Sequence, residues 1–327
     1  ITGSAAADTI DAPTGVTAIT GGAGNDFVTF DGTLTSADTF DGGDGVDTVK
    51  INGGNLTQTS VVGGLSNVEI LELSTAHTIS LESNISPTTF DFGTNETDQV
   101  LNLLDGYTAA TTVKLGADAT NADKIVNTAN VDLTITANST SYDESTSVTG
   151  GTGTDSISIL NTAAGQVDLT ATTGVDSITF TDYTAGVDVE LDTHSYTLDS
   201  VAFAKVLTID ASSMDSGEVL TLTGDATVTK MDVTAGGGDD LLVLGTLADT
   251  VDGGAGNDSV TGTAGSNTIS LGAGNDTLLA GTGGENVDGG AGNDLFTLAG
   301  NLNSGDTIDG GDGTDTLTIT SGITTSS

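Results

Sequence analysis

A nine-residue register constrains this chain more than any other feature of its sequence. From Ala235 to Thr297 it divides into seven contiguous units, starting at 235, 244, 253, 262, 271, 280 and 289. Position 8 of every unit is apolar: Leu242, Val251, Val260, Ile269, Leu278, Val287 and Phe296. Position 6 always carries a side-chain oxygen: Asp240, Asp249, Asp258, Asn267, Asp276, Glu285 and Asp294. After a three-residue insert, Leu298 to Gly300, the register resumes with units at 301 and 310, which supply Asp306 and Asp315. A short fixed period means that each unit is one small structural element. Such an element cannot bury its apolar face alone and must stack on its neighbours.

The N-terminus repeats the pattern. Units start at 3, 12 and 21, and a second three-residue insert, Phe30 to Gly32, precedes units at 33 and 42. Position 6 holds Asp8, Thr17, Asp26, Asp38 and Asp47. Residues 21–51 and 289–319 align with 20 identities in 31 positions at a constant offset of 268. A segment that starts and ends inside the same kind of block reads as cut from a longer tandem array.

The units GGAGNDSVT (253–261), GGAGNDLFT (289–297) and LGAGNDTLL (271–279) carry the GGxGxDxUx pattern. In this the chain resembles the RTX (repeats-in-toxin) family, over roughly residues 1–50 and 235–318. The resemblance implies a parallel β-roll that binds several Ca2+ ions, with the first six residues of a unit forming the metal-binding turn and the last three a short strand. The expected fold is all-β, a parallel β-roll or β-solenoid flanking an irregular β-solenoid or β-rich middle. Blocks are expected at 1–50 and 235–318, the β-rich middle at 51–234, and the start of a next β-rich region at 319–327.

Two nine-residue units make one coil of such a roll, so units eighteen apart stack on one edge. The Gly-rich units 235, 253, 271, 289 and 310 fall on one edge, as do 3, 21 and 42; the units opposite have lost most of their glycines. Stacked parallel strands lie ~4.8 Å apart, about twice a Ca2+–oxygen distance of ~2.4 Å, so an ion fits between adjacent turns. Without one, two carboxylates at that spacing repel by about 1 kcal/mol in water and ~3–4 kcal/mol at an effective dielectric of 20. No Lys, Arg or His occurs in 1–49 or 235–327 to offset this.

The ligands on this reading are Asp8, Asp26 and Asp47 with Gly21, Gly22, Gly24, Gly42 and Gly43 in the first block. In the second they are Asp240, Asp258, Asp276, Asp294 and Asp315 with Gly236, Gly238, Gly253, Gly254, Gly256, Gly272, Gly274, Gly289, Gly290, Gly292, Gly310 and Gly311. Asp41, Asp252, Asp288 and Asp309 each precede a Gly-rich turn and join the set. Of 13 acidic residues in 235–318, eight occupy position 6 and three position 9, which a generally acidic surface would not produce. Asp249, Glu285, Asp306 and Asp38 on the poorer edge read equally well as solvated turn residues.

The middle lacks the fixed register but keeps short β-branched runs: VEILEL from Val68, VLNLL from Val100, TVKL from Thr112, VDLTIT from Val131, SITF from Ser177, VDVEL from Val187, VLTI from Val206 and VLTL from Val219. These fit a solenoid or a sandwich. GGLSNVEIL at 63 places Val68 where Asp is expected, as if a coil persisted without its ion, and Asp155 and Asp176 form a candidate isolated site. Four tyrosines, Tyr107, Tyr142, Tyr183 and Tyr196, read as ordinary packing rather than a sugar-stacking surface, and Lys205 as a surface lysine.

Charge narrows the function. With 46 Asp+Glu against 5 Lys+Arg, the net charge is −41, and a polyanion repels nucleic acid and anionic membranes. No apolar run approaches the ~20 residues of a membrane span, so no membrane insertion is expected. Cysteine is absent, which removes disulfides and thiol chemistry. No HExxH, G-x-S-x-G or P-loop occurs, and no enzyme is expected. The sequence begins at Ile1 without a signal peptide and ends without a recognisable type I secretion tail, which reads as a segment. Taken with the resemblance, the expectation is an extracellular, Ca2+-stabilised structural repeat of a bacterial surface layer or filament, secreted by a type I system, with neighbouring copies as partners. The alternatives are an adhesin stalk and the RTX module of a secreted enzyme.

Overall fold

In the computed structural model the described residues are 1–320, apart from 14, 16–17, 33, 54–55, 57–63, 75, 84, 86, 94–97, 117–121, 130, 139–145, 152, 162–171, 183–193, 199–205, 215, 224–229, 263 and 299–303. They form thirty strands, mostly of three to six residues, gathered in two compact units, Ile1–Ile157 and Ser158–Ser327.

Each unit is wound as a parallel β-solenoid. A strand does not pair with the next one in sequence; it pairs in parallel with the next but one. In the first unit Thr9–Ala12, Phe27–Phe30, Thr48–Ile51, Ile70–Leu73, Thr89–Asp91, Thr111–Lys114 and Leu133–Asn138 stack in that order. In the second, Leu241–Val243, Ser259–Thr261, Thr277–Ala280, Leu295–Leu298 and Thr316–Ile319 form one wall. Met231–Thr234, Thr250–Asp252, Thr268–Ser270, Asn286–Asp288 and Thr307–Asp309 form the other.

Such short strands hold because alternate residues point inward into a continuous stack. Val28, Val49, Leu71, Phe90, Val113 and Ile135 occupy successive rungs of one inward row, each at 0% exposure. Leu242, Val260, Leu278 and Phe296, the position-8 residues, make the equivalent row in the second unit. Burying a side chain of this kind contributes about 1.5–3 kcal/mol, and each coil depends mainly on its two neighbours.

The changes of repeat grammar at 50/51 and 234/235 do not interrupt the winding: Thr48–Ile51 pairs with Ile70–Leu73, and Met231–Thr234 with Thr250–Asp252. The middle is therefore built as coils within its units. What varies is coil length. Equivalent residues are 18 apart in the regular coils, 21 across each insert, and anywhere from 19 (Ile70 to Thr89) to 31 (Ser177 to Thr208) in the middle. Extra residues are absorbed at corners while the strand register survives. The VDVEL run and Lys205 lie outside the described residues.

One coil shifts from its expected frame. Val68 does not take the aspartate's place; it is fully buried, and Glu69 takes the place instead, its Oε2 accepting the Asp47 N–H at 2.7 Å. The coil is 22 residues long rather than 21, so the acid moves one position on and the rung keeps its carboxylate.

Candidate metal centre

At the Gly-rich turns the position-6 aspartates Asp26, Asp47, Asp240, Asp258, Asp276 and Asp294 are buried in the corner, whereas Asp8 and Asp315 are half-buried. Asp240, Asp258, Asp276 and Asp294 are buried to within 2%. Their order comes from a hydrogen-bonded ladder. The backbone N–H of each residue donates to Oδ1 of its counterpart one coil on: Leu220 to Asp240 at 2.6 Å, Asp240 to Asp258 at 2.8 Å, Asp258 to Asp276 at 2.7 Å, Asp276 to Asp294 at 2.9 Å and Asp294 to Asp315 at 3.0 Å. The first block repeats it, from Asp8 to Asp26 at 2.8 Å and Asp26 to Asp47 at 2.7 Å.

That ladder uses one oxygen per carboxylate. The second, Oδ2 of Asp26, Asp47, Asp258, Asp276 and Asp294, is buried without any hydrogen-bond partner. Buried polar atoms are normally satisfied, and a charged one left bare is costly. Asp240 and Asp8 differ: their Oδ2 atoms accept from Gly236 N–H at 3.3 Å and from Ser4 N–H at 2.6 Å.

The glycines shape the space beside these oxygens. A Cβ on Gly253 would stand 2.8 Å from Asp258 Oδ2 and 2.5 Å from the Leu271 carbonyl oxygen of the next coil; on Gly289 the same two contacts are Asp294 Oδ2 at 2.7 Å and the Gly310 carbonyl at 2.5 Å. A side-chain oxygen and a backbone carbonyl thus converge on one small volume that only glycine leaves open. At position 2, Gly272 adopts φ 104° and its missing Cβ would fall on the Gly254 carbonyl oxygen of the coil before. No three His, Cys, Asp or Glu side chains converge among the described residues, so an ion here would draw most of its ligands from the main chain, as oxygen-loving Ca2+ does. The residues present fit a hard divalent cation: Asp26, Asp47, Asp258, Asp276 and Asp294 would hold it, with turn carbonyls completing the shell.

Electrostatics agree with this fit. Burial pushes Asp258 up to about 7, and the neighbouring Asp240, Asp276 and Asp239 charges add to it, against the opposing Asp240 N–H bond. Asp240 and Asp276 are raised to about 6, again chiefly by burial, and Asp47 is raised for the same reason. A nearby cation favours the charged form and would reverse these shifts.

The remaining expected ligands are placed differently. Asp252, Asp288 and Asp309 lie on the outer surface, their Oδ1 atoms accepting from the N–H of Gly254 at 3.3 Å, Gly290 at 3.1 Å and Gly311 at 3.1 Å. Exposed Asp41 accepts from Asn67 Nδ2 at 2.8 Å. These acids brace the turns from outside the buried row. Asp155 is wholly buried, with Oδ1 accepting from Leu133 N–H and Asn127 Nδ2, both at 3.0 Å, and Oδ2 from Gly151 N–H at 2.7 Å. Three N–H donors engage both its oxygens, and half-buried Asp176 belongs to the other compact unit.

Most acids of the poorer edge are buried, and Asp306 is half-buried. Asp249 and Glu285 are 1% exposed and Asp38 is 4% exposed. The same ladder runs from Met231 N–H to Asp249, then to Asn267, Glu285 and Asp306. Asp249 Oδ2 and Glu285 Oε1 are also buried without a hydrogen-bond partner. For Asp38, Asp249 and Glu285 the reading as solvated turn residues fails because the fold turns the polar residue before the strand inward on this edge as well. Even the middle obeys: His77 N–H donates to Gln99 Oε1 at 3.0 Å, and Gln99 N–H to Asp123 Oδ1 at 2.9 Å. The signal was a polar residue immediately preceding each β-branched run. Tyr107 is 1% exposed, its hydroxyl accepting from Thr111 at 3.0 Å, so it presents no stacking surface.

Residues 234–269, 244–278, 261–296 and 303–322 match the RTX calcium-binding nonapeptide repeat, in four copies. No curated protein matches the chain.

Proposed function

We propose that this chain, whose C-terminal block carries RTX calcium-binding nonapeptide repeats, is an extracellular structural repeat of a bacterial surface layer or surface filament, clamped by Ca2+ after secretion. The observation that carries this reading is the row of buried carboxylates, of which Asp26, Asp47, Asp258, Asp276 and Asp294 each keep one bare oxygen, in stretches 1–49 and 235–327 that hold no Lys, Arg or His. Extracellular Ca2+ modules bind at about 10−4–10−3 M. Such sites are empty in cytosol and filled outside, and ion binding becomes folding free energy on export. At free Ca2+ of 100 times Kd, each site adds about 2.7 kcal/mol.

The test is circular dichroism with thermal melting, in millimolar Ca2+ and in excess EGTA. The expected result is β signal and a high melting point with Ca2+, and loss of both in EGTA; an unchanged melt overturns the reading. A second reading, the stalk of an adhesin, is favoured by the 20 identities at an offset of 268, which suit serial spacing. Electron microscopy separates the two: a surface layer forms two-dimensional sheets when Ca2+ is added, whereas a stalk stays dispersed and stiffens.

A further inference from the structure

The coils of the second unit are electrically lopsided. On the wall containing Thr250–Asp252 the outward residues include Asp232, Asp252, Asp288 and Asp309. The opposite wall has two outward rows in register. One runs Leu241, Ser259, Thr277, Leu295, Thr316, and the other Val243, Thr261, Leu279, Thr297, Thr318. None of these ten residues is charged. Leu241, Leu279 and Leu295 are 43%, 40% and 40% exposed. The neutral surface continues round the poorer edge through Thr246, exposed Leu247, Ala264, Ser266 and Thr282, where Asp249 and Glu285 are buried, and reaches half-buried Asp306 in the last coil.

We propose that this uncharged wall is a lateral docking surface for a second copy of the chain. The inference rests on the array reading above. At a net charge of −41, two copies repel one another across most orientations. An approach through the two neutral walls keeps the acidic walls farthest apart and buries the exposed leucines. Flat, Thr-rich sheet faces pack at about 10 Å. Five strands at ~4.8 Å and three residues at ~3.3 Å give a wall of roughly 24 by 10 Å. That is well below the ~800 Å2 per partner of a standard stable interface. A single pair is therefore weak, and copies held in an array supply the effective concentration that makes the contact persist.

Sedimentation equilibrium of the full chain in millimolar Ca2+, from micromolar to millimolar protein, tests this. The wild-type average mass should rise with concentration, and more steeply as added salt screens repulsion. Leu279→Asp with Leu295→Asp should weaken association by at least about tenfold. The milder pair Leu279→Ser with Leu295→Ser should weaken it less, and serves if the aspartates disturb the fold. Asp232→Ser, on the acidic wall, should leave association intact or strengthened. A wild type that stays monomeric throughout, serine or aspartate variants that associate as strongly as wild type, or retention of the monomer by a polysaccharide through the leucine wall would each overturn the proposal. Circular dichroism on the same samples reports Ca2+-dependent folding separately, so a failure of the calcium clamp is distinguishable from a failure of the docking wall.

Discussion

A single carboxylate in this molecule has two separable tasks. Oδ1 of Asp258 receives the Asp240 N–H and orders the corner, while Oδ2 is buried without a hydrogen-bond partner and on the proposed reading meets the cation. Asn267, on the other edge, performs only the first, since its Oδ1 accepts the Asp249 N–H at 2.9 Å and its amide brings no charge. Asp258→Asn should therefore keep the ladder while removing one repulsive charge. Its melting point in EGTA should rise, by the equivalent of about 1 kcal/mol or more, and calorimetric titration should show fewer Ca2+ bound. Asn267→Asp should do the reverse, lowering the melting point in EGTA with recovery in Ca2+. Raised pKa values set a pH dependence with a definite sign. The folded carboxyls of Asp240, Asp258 and Asp276 hold protons up to about 6 to 7, whereas the unfolded ones release them near 4. Between those values the metal-free fold binds more protons than the unfolded chain, so its stability falls as pH rises. Melting in EGTA should accordingly be higher at pH 5 than at pH 8, and Ca2+ affinity should weaken over the same acid range.

Among the turns, stacking geometry decides which glycines are replaceable. Gly272 sits at φ 104° against the Gly254 carbonyl, whereas a Cβ on Gly32 would meet nothing within 4 Å. Gly272→Ala combines a left-handed penalty of about 1–2 kcal/mol with a backbone clash, and should lower the denaturant midpoint in Ca2+ clearly; Gly32→Ala should be nearly neutral. The turn grammar was legible because the cost of a Cβ is local, and a local cost leaves a residue-by-residue mark. The position-8 core was legible for the same reason. What stayed hidden was longer in range. Whether Val68 or Glu69 completed its rung depended on a corner accepting one more residue, which only the pairing of Thr48 with Ile70 settles. That Asp249 and Glu285 turn inward depended on the ladder, whose donors lie 18 residues away. His77 and Gln99 escaped notice because one rung of each chemistry leaves no period to detect.

For the whole molecule, the contrast between coils with bare carboxylate oxygens and coils whose rungs are hydrogen-bonded predicts an uneven response to chelation. Rungs such as Gln99 and Asp155 are served by N–H groups, while in 240–298 Asp249, Asp258, Asp276, Glu285 and Asp294 each end on a bare oxygen. Native-state hydrogen exchange in EGTA should strip protection from residues 240–298 while sparing 100–103 and 111–114, because coils in a solenoid open as neighbours rather than all together. Uniform loss of protection would show that the chain folds as one cooperative body.

The spacing of the carboxylate row has a further consequence. Two unit charges in water interact with thermal energy at roughly 7 Å, and rungs of a parallel ladder repeat at ~4.8 Å. An edge charged more densely than that limit gathers a sheath of mobile counterions as a polyelectrolyte does, before any one ion has found its coordination shell. Loading of the clamp would then begin from a locally enriched pool, and monovalent salt would compete by displacing that pool rather than by entering the sites.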